Sequence, residues 1–243
     1  MKHLKTIISV LVMFAALSCS KNNVGGSGLV SFKVASNQVV ADVTKSNVSD
    51  YTALPESGDY TITILNATSN QVWTGKICDW PVQTLLPAGE YTVSAVYGSL
   101  EEEGFDKPYF YGSTTFTVTG KETAEVAVPV SLGNTIMKIA CSENFKNYYK
   151  DYSFKLVRNN QEIAAFTKDD ERAAFIDGYK IGVQGVLTGE IKTQNFSAEY
   201  TGLAEATAYT LYFDVPNVGG STITISFNDT VETIELGDYE LND

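Results

Sequence analysis

Apolar and polar residues alternate in short runs along most of the chain. Val30, Phe32 and Val34 alternate with Ser31 and Lys33, and Tyr60, Ile62 and Ile64 with Thr61 and Thr63. In the run 91–97, Tyr91, Val93, Ala95 and Tyr97 share one face and Thr92, Ser94 and Val96 the other. Period-2 alternation predicts half-buried strands. Further strands are expected at 72–73, 114–118 and 125–131, the last two joined by a hairpin turn at 119–122. Pro129 lies opposite Val126, Val128 and Val130, which predicts an edge or a strand end there, because proline has no N–H for a ladder. After Leu132-Gly133-Asn134, read as a hinge, strands recur at 135–141, 152–158, 162–166, 180–186, 196–200, 208–215, 222–227 and 230–236. A brief helical turn is expected at 144–150, where Phe145 precedes Tyr148 and Tyr149 by one turn.

Many short strands separated by turn signals predict an all-β protein. The expected architecture is two consecutive antiparallel β-sandwich domains of transthyretin or immunoglobulin-like type, at 28–131 and 132–243. One continuous sandwich is the alternative. A faint echo links the halves: Leu86-Pro87-Ala88-Gly89-Glu90-Tyr91-Thr92-Val93 and Leu203-Ala204-Glu205-Ala206-Thr207-Ala208-Tyr209-Thr210-Leu211 each run from a leucine through small residues into a Tyr-Thr strand.

The N-terminus departs from this pattern. Lys2 and Lys5 precede an apolar run at 7–17, which ends at Ser18-Cys19. A basic start, a short apolar run and a small residue make a secretory signal at 1–18. The run is shorter than the roughly 20 residues that span a bilayer. The Ala16-Leu17-Ser18-Cys19 sequence resembles a bacterial lipobox, although its leucine stands two residues before the cysteine instead of three. Cleavage before Cys19 would leave that thiol as the lipid attachment point, with 19–27 as a polar, glycine-rich tether.

Losing residues 1–18 removes two of the 17 basic residues and none of the 29 acidic ones, so the net charge goes from −12 to −14. That balance argues against nucleic acid, which needs basic patches. The signal also takes His3, the sole histidine. The mature chain therefore has no Ser-His-Asp or Cys-His chemistry and no histidine-ligated metal. No cofactor and no enzymatic activity are expected. Cys78 and Cys141 each follow an apolar residue and read as small buried thiols, with a disulfide as the alternative in an exported protein. The acidic runs 101–103, 169–171 and 238–243 lack the spacing of a calcium loop and read as solvated loops.

The stretch Gly104-Phe105-Asp106-Lys107-Pro108-Tyr109-Phe110-Tyr111-Gly112 is the most distinctive in the chain. Tyr109 and Tyr111 fall on one face and Phe110 on the other. The tyrosines are candidate ligand-binding residues, a platform for sugar or peptide, because tyrosine joins a flat apolar body to a polar tip. Core and edge packing is the competing role.

This stretch, with Phe116-Thr117-Val118, the run 126–132, the 86–93 motif and the closing Ser226-Phe227-Asn228-Asp229-Thr230-Val231-Glu232-Thr233, resembles the Bacteroidetes lipoprotein family known as domain of unknown function 4493. The 86–93 motif also resembles transthyretin-like adhesion modules. The family resemblance implies a β-rich, lipid-anchored envelope protein with fimbrillin-like character, and brings no activity with it. The expected role is adhesive, structural or protein-binding, compatible with a fimbria-associated anchor or tip. The alternative is a glycan-binding lipoprotein using its exposed tyrosines. Fimbrillin-type subunits are typically cut after an early arginine, whereas the only arginines here are Arg158 and Arg172, which argues against a polymerising stalk subunit. Surface-exported lipoproteins of such bacteria tend to carry acidic residues after the lipidated cysteine. Here Ser20-Lys21-Asn22-Asn23 follows, so an outer-membrane location is expected with the periplasmic and surface faces both open.

Overall fold

The structure is a computed structural model that describes residues 25–37, 46–215, 222–227 and 230–235. The signal segment, Cys19 and the acidic run 238–243 lie outside the described residues. The first half of the chain forms β1 (Ser27–Asn37), β2 (Thr61–Asn66), β3 (Gln71–Lys76), β4 (Leu85–Pro87), β5 (Gly89–Tyr97), β6 (Gly104–Phe105), β7 (Phe110–Val118) and β8 (Thr123–Leu132). The second half forms β9 (Thr135–Cys141), the helix α1 (Glu143–Tyr148), then β10 (Asp151–Arg158), β11 (Gln161–Phe166), β12 (Ala173–Ile176), β13 (Lys180–Thr188), β14 (Thr193–Thr201), β15 (Ala208–Asp214), β16 (Thr222–Phe227) and β17 (Thr230–Glu235). The fold is all-β, as the alternation predicts.

One sheet runs β3-β2-β5-β7-β8-β1-β4. Within it β7 and β8 pair only through Phe110 with Leu132 and Tyr111 with Ser131. The sheet folds over at that short ladder, and its two wings face each other. Ile62, Ile64, Tyr91, Val93 and Ala95 from one wing meet Val30, Val126, Val128 and Val130 from the other in a single core. Burying each such aliphatic side chain contributes about 1.5–3 kcal/mol. Pro129 is at neither an edge strand nor a strand end: it lies inside β8, opposite Ala35 of β1, two residues before β8 reaches β7.

The second half packs a four-stranded sheet, β11-β10-β13-β14, on a six-stranded one, β17-β16-β15-β9-β12-β6. Its core is aromatic. Phe154 stacks on Phe213 with centroids 4.3 Å apart, and Phe145 meets Tyr152 edge-on at 5.2 Å. A six-residue helix is too short to be stable alone. Here Ser142 caps α1 by accepting the Phe145 N–H at 3.0 Å, and the helix delivers Phe145 into this core.

Two ladders are parallel, which the expectation of antiparallel sandwiches did not include. β1 lies parallel to β8, and β9 parallel to β15. Each half thus opens with a strand that pairs with a later strand of the same half, the intervening elements supplying the long crossover that a parallel pair needs. The Tyr-Thr echo also has a physical counterpart. The Tyr91 hydroxyl donates to the Pro87 carbonyl at 2.9 Å, and the Tyr209 hydroxyl accepts the Ala204 N–H at 3.1 Å. Both rings fold back to pin the turn before their strand, as in the tyrosine corner of immunoglobulin-like sandwiches.

The two cores share a wall. Met137, Ile139, Ala174, Ile176, Leu211 and Phe213 face the second core, while Ile136, Ala173, Phe175 and Ala208 face the first. All four residues of β12 are buried as a result. β6, a first-half segment, completes this sheet by pairing Gly104 with Phe175 and Phe105 with Ala174.

Both cysteines among the described residues are free, but only Cys141 is half-buried; Cys78 is exposed on the turn Ile77–Asp79. Burial pushes the Cys141 thiol from 9.0 up to about 12, and burial, with Tyr97 nearby, pushes the Tyr60 hydroxyl from 10.0 up to about 12. The fold therefore favours the protonated form of both groups. Their stabilisation is fully present below the unfolded-state values and is lost as pH rises towards the folded ones. Melting temperature, followed by circular dichroism, is expected to fall between about pH 9 and 12. A flat profile across that window would show that neither group is held protonated by the fold.

Candidate functional site

Phe110 is fully buried in the first core, which turns Tyr109 and Tyr111 together to the outside. Their rings stack with centroids 5.5 Å apart and planes 14° from parallel. They cover Gly133, where a Cβ would lie 2.6 Å from Tyr109 Cδ1 and 2.9 Å from Tyr111 Cε1. Only glycine lets the rings approach the link between β8 and β9 this closely. The Tyr111 hydroxyl donates to Glu205 Oε2 at 3.0 Å, and this bond and the carboxylate's charge raise its pKa. The pair therefore spans from β7, over the link, to the loop that precedes β15. Tyr111 is still 42% exposed.

The link below is no loose hinge. Residues 132–135 are all buried. The Gly133 N–H donates to the Tyr109 carbonyl at 2.8 Å, and the Asn134 side-chain oxygen accepts the Tyr109 N–H. The Asn134 carbonyl accepts the Ala206 N–H at 2.9 Å, and the Thr135 hydroxyl donates to the Ala204 carbonyl at 2.8 Å. The Asn134 amide nitrogen is buried without a partner among the described residues, a cost of about 1–3 kcal/mol.

A second tie lies along the same seam. Arg158 donates to Glu103 through Nε at 3.0 Å and Nη2 at 2.8 Å, and Nη2 also reaches the Asp177 carbonyl. The Asp177 N–H donates to Glu103 Oε1 at 2.7 Å. Beside it Phe105 packs edge-on against Phe166 at 4.9 Å, with the Arg172 guanidinium 3.8 Å above its ring. The runs 101–103 and 169–171 are thus not simply solvated. Glu103 is bound in this network, and Arg172 binds Asp170 and holds its carboxyl below the ordinary range. Both arginines of the chain are committed to these runs. A reading by composition misses the first pair, because Arg158 and Glu103 are far apart in sequence.

A cleft of about 370 Å3 opens beside Cys141, Tyr152 and Asp169. The Tyr152 hydroxyl donates to Asp169 at 3.2 Å and, by burial, is shifted far up, as is the Cys141 thiol. A raised thiol is a poor nucleophile at neutral pH. Among the described residues no three His, Cys, Asp or Glu side chains group to hold a metal, and no helix is long and apolar enough to cross a membrane.

A family model described as Domain of unknown function (DUF4493) matches residues 26–237. No curated protein matches the chain. Among solved structures, a fimbrial assembly protein from Parabacteroides distasonis is similar at 7% identity and TM-score 0.48, covering 86% of this chain and 100% of its own. A candidate cell adhesion protein from Bacteroides ovatus is similar at 13% identity and TM-score 0.47, covering 90% and 100%. Another from Bacteroides eggerthii stands at 10% identity and TM-score 0.47, covering 88% and 98%.

Proposed function

The chain belongs to the DUF4493 family, and on that premise we propose that it is a lipid-anchored, non-catalytic protein of a Bacteroidetes-type cell envelope with an adhesive or structural role. The observation that carries the reading is the N-terminal pattern: Lys2 and Lys5, the apolar run 7–17, then Ser18-Cys19. In this reading Cys19 bears the lipid, residues 20–27 are the tether, and the body divides at 131/132 into two sandwich units. The absence of histidine from the mature chain supports a non-catalytic role. The ion pair and the tyrosine bridge across the seam support a stiff body, suited to bearing load between a membrane and a protein partner.

Changing Cys19 to alanine is expected to move the protein from the membrane pellet to the soluble fraction. Continued membrane association would overturn the anchor. Protease shaving of intact cells separates the two faces of the outer membrane: digestion places the body outside, and protection places it in the periplasm.

Glycan capture is the second reading, favoured by the exposure of Tyr111 beside Tyr109 on a flat aromatic surface. Loss of sugar binding on Tyr111→Ala, with melting unchanged, would support that platform. Binding that survives the change would leave the pair with its bridging role alone.

A further inference from the structure

The outer face of the four-stranded sheet carries a cleft of about 340 Å3, away from the Tyr109–Tyr111 pair. Its floor is a gap in the side-chain rows. In the register across β10, β13 and β14, Gly182 stands between Val157 and Glu199. Two glycines interrupt β13, each where a Cβ would meet a cross-strand side chain. Gly185 lies under the Phe196 ring, where a Cβ would fall 1.9 Å from a ring carbon. At Gly182, on the opposite face, a Cβ would fall 2.9 Å from Cγ2 of the stiff Val157 side chain, so the glycine seats Val157 and leaves the cleft floor without a side chain of its own. A glycine inside a strand weakens it, and often marks a place where a ligand or another backbone comes close.

Polar groups converge on this gap. Asn159 and Asn160 form the tight left-handed turn between β10 and β11, with φ of 51° and 65°, and make one wall. Lys180 and Glu199, paired at 3.0 Å, make another. Gln184 and Ser197 face each other across β13 and β14, with no side-chain hydrogen bond to another described residue. Tyr179 stands at the rim, 78% exposed. Its backbone is held by Asp177 and Gly202, so the ring is presented from a fixed point.

We propose that this cleft binds a neutral oligosaccharide, with Tyr179 as the stacking platform and Asn160, Gln184 and Ser197 as the hydrogen-bonding groups. A sugar ring offers an apolar C–H face and a rim of hydroxyls. A flat phenol beside amides and a hydroxyl complements both. An anionic ligand would meet a chain of net charge −12 whose nearby cations, Lys180 and Arg158, are already paired with Glu199 and Glu103. The volume falls at the low end of the roughly 300–1,000 Å3 of small-molecule sites, enough for a short stretch of glycan. The proposal rests on the glycan-capture reading and moves its site from Tyr111 to Tyr179 and Gly182.

The test is calorimetric titration of the full chain in detergent with short neutral oligosaccharides of glucose, mannose, galactose and xylose. At least one is expected to bind. Tyr179→Ala is expected to weaken it about tenfold. Gly182→Thr, which fills the cleft from its floor, is expected to abolish it. Tyr111→Ala is expected to leave it unchanged. Where Gly182→Thr lowers the melting temperature, the exposed Gln184→Ala replaces it, with weakened binding expected. If no oligosaccharide of the panel binds, glycan capture itself fails. If one binds, and Tyr111→Ala abolishes binding while Tyr179→Ala and Gly182→Thr do not, this site is overturned and glycan capture stands.

Discussion

Replacing Phe175 by alanine is expected to destabilise the protein by about 3–5 kcal/mol, the usual cost of deleting a fully buried phenylalanine. For a chain of this size that corresponds to a melting shift of roughly 10 °C. Phe175 faces the first core, while its strand neighbours Ala174 and Ile176 face the second. The cavity therefore opens in a wall on which both cores rest. Thermal unfolding followed at both near-ultraviolet and far-ultraviolet wavelengths is expected to show one transition, displaced as a unit. An exposed control on an edge strand, Val72→Ala, is expected to stay within about 0.5 kcal/mol of the parent. Two transitions, with only the first displaced, would mean that the cores melt independently and that the shared wall does not couple them.

This wall is also where sequence reading stops. Alternation finds β2, β5, β8, β10 and β13 because each has one face in a core and one in water. Ile62 and Ile64, or Val126, Val128 and Val130, are buried between more exposed neighbours. β12 has no such signature. Ala173-Ala174-Phe175-Ile176 is buried on both faces and reads as a short apolar run without period. β6 is two residues long and takes its strand character entirely from β12, far along the chain. The same limit applies to sites. The relation of Tyr109 and Tyr111 to Phe110 is local and can be read from their spacing. Their contact with Glu205 depends on the fold, as does the difference between Gly182 and Gly185, three residues apart in one strand. Composition treats those two glycines alike. Only the cross-strand neighbours show that one accommodates Phe196 and the other Val157, on the floor of a cleft.

The ion pair on the seam carries the second large effect. Arg158 and Glu103 keep 21% and 13% of their side-chain surface, so part of their attraction is screened by water. Arg158→Met is nonetheless expected to destabilise by about 2–3 kcal/mol, because it leaves the Glu103 carboxylate half-buried with only the Asp177 N–H to satisfy it. Glu103→Gln should cost less. The amide keeps an oxygen for the Asp177 N–H and loses only the charge opposite Arg158. Combining Arg158→Met with Glu103→Leu removes both charges, and a buried pair replaced by apolar groups is often close to neutral. Here recovery is expected to be partial. The Asp177 N–H and carbonyl, each bonded to one member of the pair, are both stripped of those partners. Denaturant unfolding of the parent, Arg158→Met, Glu103→Leu and their combination forms a double-mutant cycle that measures the coupling directly. Coupling near zero would mean the pair is an ornament of the surface. Coupling above about 1 kcal/mol would make it a tie between the two halves, since Glu103 is carried by the loop before β6 and Arg158 by β10.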